Sequence, residues 1–182
     1  MNPTVAPRLA VAADAAGIAH VHVTAWRSTY PGMLPDWYLD GMDVADYEDR
    51  WARTIHDPFR RSTVFVAEEE GVIVGYASCG HERDGDHRYD GELYAIYVLG
   101  DAQGRGHGRA LVEAAAAALA IRHMMSMVVW VLRDNVRARG FYERLGGRYL
   151  RERPLDLGPG LSAPEVAYIW RDTLPLRRRA PR

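Results

Sequence analysis

Residues 103–108 read Gln-Gly-Arg-Gly-His-Gly. They stand between an apolar run from Glu92 to Val98 and a long alanine-rich segment. That order reads as strand, glycine-rich turn and helix start. Glycine tolerates the dihedrals of a tight turn. The first turn of a helix leaves backbone N–H groups without partners at its positive end. Together these features make a phosphate site. Two common phosphate motifs do not fit. The pattern G-x-G-x-x-G fails, because its last position is Arg109 when counted from Gly104 and Leu111 when counted from Gly106. The P-loop needs a lysine, and this chain has none.

What remains is Q-x-x-G-x-G, carried by Gln103, Gly106 and Gly108. Downstream lies a short apolar strand at 128–132, then Asn135, Ala138, Phe141, Tyr142, Glu143, Leu145 and Gly146 in the pattern N-x-x-A-x-x-F-Y-E-x-L-G. Both segments, in this order, resemble the GNAT superfamily of N-acetyltransferases. They cover roughly the central third of the chain. Gly140, within the second, departs from the family's usual residue.

The resemblance implies an acetyl-coenzyme A site. In that family the turn holds the pyrophosphate through backbone N–H groups, here those of Gly104, Arg105, Gly106, His107, Gly108 and Arg109. Gln103 is expected to shape the turn by side-chain hydrogen bonds. The N–H of Ile96 becomes the thioester-oxygen donor, and Val98 pairs with pantetheine. Asn135 caps the second helix, and Ala138 is small enough to let pantetheine pass. Tyr142 is the candidate general acid for the leaving thiolate. Glu92 is the candidate general base, with the family's spacing to Gln103; a carboxylate there can take the amine proton directly or through a water. Strict alternation along the strand would put Glu92, Tyr94, Ile96 and Val98 on one side and Leu93, Ala95 and Tyr97 on the other.

The resemblance places the acceptor site around a break between the first two helices. There Tyr30, Trp37 and Tyr38 would form an aromatic wall beside Glu92 and Tyr94, and Asp36 or Asp40 would attract an ammonium. Trp26 reads as core. The segment 81–90, with two histidines and four acidic residues, reads as a solvated loop near the acceptor entrance rather than a metal site.

The elements that must position these residues follow from pattern and punctuation. Strands are expected at 8–12, 62–68, 72–79, 92–98, 127–132, 148–157 and 165–171. Helices are expected at 14–30, with Asp14 as N-cap, at 35–39, 44–55, 106–123 and 136–145. The result is an α/β fold of the GNAT type. Its central twisted sheet is mixed but mostly antiparallel, with six to seven strands flanked by helices and a splayed parallel pair forming the cofactor cleft. The length of 182 residues suits one domain, expected at 1–175, with a flexible basic tail at 176–182.

A net charge of −1 gives no electrostatic case for nucleic acid. No apolar run is long enough for a membrane span and no signal peptide is visible, so the expected compartment is the cytoplasm. Arginine in place of lysine throughout, with abundant alanine, fits a high-GC bacterial coding bias. Cys79, the single cysteine, lies in an apolar run and reads as a buried, inert thiol. Homodimerisation is compatible with the sequence. Three functions stand side by side. The first is acetyl transfer to a small-molecule amine. The second is transfer to a protein N-terminus or lysine, which would need an open groove. The third is acyl-coenzyme A binding without turnover.

Overall fold

The computed structural model describes residues 6–59, 61–86 and 88–177. A seven-stranded sheet forms its centre. β1 (Arg8–Leu9), β2 (Ser62–Glu69), β3 (Val72–His81) and β4 (Gly91–Val98) lie side by side, followed by β5 (Met127–Leu132), β7 (Leu161–Trp170) and β6 (Arg148–Gly158). All neighbours are antiparallel except β4 and β5. Helices α1 (Ala15–Thr29), α2 (Asp36–Asp40) and α3 (Val44–Ile55) precede β2 in the chain; α4 (His107–Ile121), α5 (Val136–Arg144) and α6 (Leu174–Arg177) follow β4.

Period-two alternation sorts the β2 side chains between two cores. Phe65 and Ala67 pack with Leu111, Val112, Ala115, Ala116 and Leu119 of α4. Val64 and Val66 pack with Ile18 and Val21 of α1. The alanines of α4 favour the helix and let it sit close to the sheet, while each buried leucine contributes about 1.5–3 kcal/mol. Cys79 is 1% exposed within the α4 core, and burial pushes its thiol up to about 12. Leu176, expected in the tail, is also buried there. Residues 178–182 lie outside the described residues.

Three sequence expectations are corrected. Asp14 does not cap α1 with its side chain. Its carboxylate turns back to the Val11 N–H (2.7 Å) and to Arg8 (2.7 and 2.8 Å), which ends β1 after Leu9. The last strand begins at Leu161, not 165, because Pro164 pairs with Pro154 across the hairpin instead of breaking it. Side chains do not alternate strictly along β4. Its register with β3 shifts between Ser78 and Cys79, so that Leu93 pairs with Cys79, Ala95 with Ser78, and Tyr94 is the extra residue. This bulge reverses the faces. Leu93 joins Ile96 and Val98 on the α4 side, while Ala95 and Tyr97 face α1.

On the α1 side, His22 is 9% exposed, stacks on Tyr47 at 4.3 Å and bonds Tyr76 through Nδ1 at 2.6 Å. Burial, with the Arg50 charge adding, pushes its imidazole down to about 4. Between pH 6.5 and 4 the unfolded chain therefore binds more protons than the folded one, so stability rises with pH across this window. The His22 contribution is complete above pH 6.5 and lost as pH falls, by about 3 kcal/mol. Urea unfolding at pH 7, 5.5 and 4 should show that loss in the parent protein, and His22→Gln should flatten it. An unchanged slope in the variant would place the acid sensitivity elsewhere.

Candidate active site

The parallel pairing of β4 with β5 is short. It joins Gly91 to Met127, Glu92 to Val128 and Leu93 to Val129. Beyond Leu93 the two strands have no pairing with each other, and residues 94–98 remain only partly buried. The chain thus opens a cleft in the middle of its own sheet. A ligand that supplies extended backbone-like amides can pair there as an added strand.

The turn lies at the open end. After a short 3₁₀ turn at Gly100–Ala102, Gln103 Nε2 donates to the Val98 carbonyl (2.8 Å) and ties the turn to β4. Gly104 and Gly106 take φ of +78° and +96°, values that a side chain would strain, and Gly106 caps α4. A Cβ on Gly108 would reach 3.3 Å from the Phe141 ring, so α4 and α5 approach closely at this point. Arg105 and His107 send their side chains to Glu69 (2.8 and 2.7 Å), and His107 is 2% exposed. Only its main chain is therefore left for a ligand. Glu69 was not foreseen; the acidic run Glu68-Glu69-Glu70 facing a basic turn was the available signal.

Across the cleft, the Asn135 side chain accepts the Ala138 N–H (3.1 Å), capping α5 as expected. Nothing packed around Gly140 requires a glycine, since a Cβ there meets only the flexible Arg144 side chain. Tyr142 lies on the core side of α5, 5% exposed, against Phe141, Tyr168 and Trp170. Burial raises its phenol well above the ordinary range, so the group keeps its proton. The hydroxyls of Tyr30, at the end of α1, and Tyr97 of β4 are 3.0 Å apart.

Glu92 is 2% exposed, beside the last paired residue of β4. Its carboxylate accepts from Arg83: the backbone N–H (3.1 Å), Nε (3.1 Å) and Nη2 (2.5 Å). A second buried carboxylate, Glu165 of β7, accepts from Arg153 Nε at 2.6 Å. Burial raises its pKa, Arg153 opposes this, and the Glu92 charge adds to the rise. Glu165 also acts on the Tyr30 phenol, so both carboxylates belong to one electrostatic neighbourhood. Arg83 and Glu165 escaped the sequence reading, because a loop arginine and a strand glutamate carry no motif.

The segment 82–86 is held in place rather than simply solvated. Asp84 pairs with Arg153, and Glu82 accepts the N–H groups of Asp84 and Asp86 at 2.8 Å. His87 lies outside the described residues, and among those described no cluster of His, Cys, Asp and Glu is arranged to hold a metal. Of the expected acceptor residues, Tyr30 is buried, Tyr38 is half-buried against the same cluster, and Tyr94 donates to the His81 carbonyl (2.7 Å). Trp37 is 66% exposed and is not brought into that cluster. Trp26 packs beside it as core.

A family model described as the acetyltransferase (GNAT) family matches residues 24–147. The chain belongs to the GNAT family. Among its relatives is the uncharacterised N-acetyltransferase YuaI of Bacillus subtilis, 37% identical over 166 residues, which cover 90% of this chain and 91% of that one. A mycothiol acetyltransferase of Paenarthrobacter aurescens is 33% identical over 58% of this chain and 32% of its own length. The fold matches a PaiA N-acetyltransferase from Thermoplasma acidophilum in complex with coenzyme A, at a TM-score of 0.69, 16% identity, and coverage of 88% and 96%. It also matches YncA of Salmonella typhimurium with acetyl-CoA, at 0.66, 24% identity, and coverage of 90% and 91%. This GNAT protein is an acetyltransferase, and its family uses acetyl-coenzyme A. No helix among the described residues is long and apolar enough to cross a membrane.

Proposed function

We propose that this enzyme transfers an acetyl group from acetyl-coenzyme A to a primary amine of a small molecule, by direct attack in a ternary complex. The observation that carries the reading is the covering of the cleft on its α1 side. There Tyr30, Leu34, Leu39 and Met42 cluster with Leu132 and Ala163, and segment 82–86 is tied down to β6. A peptide-wide acceptor groove would need that face open. The mycothiol acetyltransferase relative carries a small molecule in its name, which favours the same class.

Each residue then has a task. The donor supplies the activated acetyl thioester. Backbone N–H groups at 104–109 bind its pyrophosphate, and the splayed part of β4 with Ile96 and Val98 binds the extended arm. The Ile96 N–H stabilises the oxygen where negative charge develops. Asn135 fixes the start of α5, and Ala138 leaves room beside it. Tyr142, held neutral by burial, donates to the departing sulfur. Glu92 takes the proton from the amine, with Tyr94 on the other side of Arg83. The reaction takes place in the cytoplasm.

A thiol-release assay across simple amines, amino acids, aminoglycosides and N-terminal peptides tests the acceptor class. The expected result is turnover with at least one small amine at a kcat/KM well above that of every peptide. Turnover confined to peptides would overturn the small-molecule reading. Coenzyme A binding without turnover on any acceptor would overturn the catalytic roles.

A further inference from the structure

Beside the cleft lies a cavity of about 640 Å³, and of the residues given a role above only Tyr94 lines it. α3 contributes Trp51 and Thr54, β3 contributes Ser78, the bulge of β4 contributes Tyr94, and Arg83 lines it too. Ser78 is 3% exposed, so the cavity reaches the sheet itself. Arg83 belongs to both compartments. Its guanidinium lies over the Tyr94 ring at 4.2 Å on the cavity side and grips the buried Glu92 carboxylate on the other. The Arg83 side chain is 58% exposed while that of Glu92 is 2% exposed. The cation can therefore swing into water, whereas the anion cannot follow it.

We propose that this cavity receives the acceptor and that Arg83 is a latch on Glu92, released when the acceptor's ammonium takes its place. The proposal rests on Glu92 being the base. A buried carboxylate stripped of its cation is strongly disfavoured. Exchange of guanidinium for ammonium keeps the charge balanced, whereas a neutral alcohol offers no such exchange. The latch thus selects protonated amines before chemistry begins. Once the ammonium sits on Glu92, proton transfer leaves two neutral groups, a free amine and a protonated carboxyl. The backbone of the segment need not move, because Asp84 and Glu82 hold it by contacts independent of the Arg83 side chain. Trp51 and Tyr94 suit an acceptor with a flat or apolar body behind its amine.

The probe is 2-phenylethylamine hydrochloride, with 2-phenylethanol as its neutral counterpart. Binding is read by calorimetry on the full chain, without need of turnover. Arg83→Ala should bind the amine at least tenfold more tightly than the parent protein, and Arg83→Lys should fall between them. The alcohol should bind none of the three. Adding Glu92→Gln to Arg83→Ala should abolish the gain. Thr54→Tyr, which fills the cavity from α3, should weaken the amine while leaving coenzyme A affinity unchanged. Equal amine affinity in parent and Arg83→Ala, or indifference to Thr54→Tyr, would overturn the latch or the cavity respectively. A pH–rate profile of Glu92→Gln separates the two readings. A loss that does not shrink as pH rises means that Glu92 is no base, whatever the amine affinities show.

Discussion

Replacing Tyr142 by phenylalanine should lower kcat by about 10²- to 10⁴-fold, the range for loss of a positioned proton donor. The ring sits in the core against Phe141, Tyr168 and Trp170, and phenylalanine keeps those contacts. Only the hydroxyl leaves. Burial has already raised the phenol's pKa, so at neutral pH it is a donor and never an anion. In the proposed mechanism such a phenol stabilises the developing thiolate by a hydrogen bond. The effect therefore belongs to kcat, and coenzyme A affinity should move by no more than a few-fold. Steady-state kinetics with calorimetric coenzyme A titration check both halves. An unchanged kcat would reduce Tyr142 to a packing residue or place the slow step outside chemistry.

The second large effect is expected at Gly106. Its φ of +96° lies where a β-branched residue is excluded, and it caps α4. Gly106→Val must turn the peptide plane and displace the backbone N–H groups proposed to bind the pyrophosphate. Coenzyme A affinity should fall at least about 100-fold, which is about 3 kcal/mol. The backbone strain is about 1–3 kcal/mol and should lower Tm by about 2–12 °C while leaving the protein folded. Gly100→Ala is the control. It precedes the turn, and a Cβ there meets nothing within 4 Å. Normal affinity in Gly106→Val, measured by calorimetry, would remove the turn from the donor site.

The Gly106 turn and the Asn135 cap were legible in the sequence because their signals are local. Glycines at fixed spacing before an alanine-rich helix announce a turn, and Asn135 three residues before Ala138 announces a cap. Strand β5 was legible for the same reason, as an unbroken apolar run bounded by polar residues. What the sequence hid depends on pairing between distant segments. The β4 bulge exists only in register with Ser78 and Cys79, so a period-two reading put Leu93 on the wrong face. Arg83 acquires meaning only when the chain folds it back onto Glu92, nine residues on. Glu165 is one of many strand glutamates until the β5–β7 pairing brings it beside Leu132 and the Tyr30 neighbourhood. The Pro154–Pro164 pair shows the converse, where a local breaker signal is overridden by the hairpin around it.

The fate of a labelled acetyl group tests the central claim most directly. Under single-turnover conditions, acetyl-coenzyme A carrying label in its acetyl group is mixed with the protein and the best amine from the acceptor panel. Quenched samples are resolved into small molecules and intact protein. Direct transfer predicts that label leaves the donor and appears on the amine at the same rate, with free thiol released in equal amount and none on the protein at any time. Label that passes through the protein before reaching the amine, or that stays on the donor in the presence of every small amine, would contradict the account.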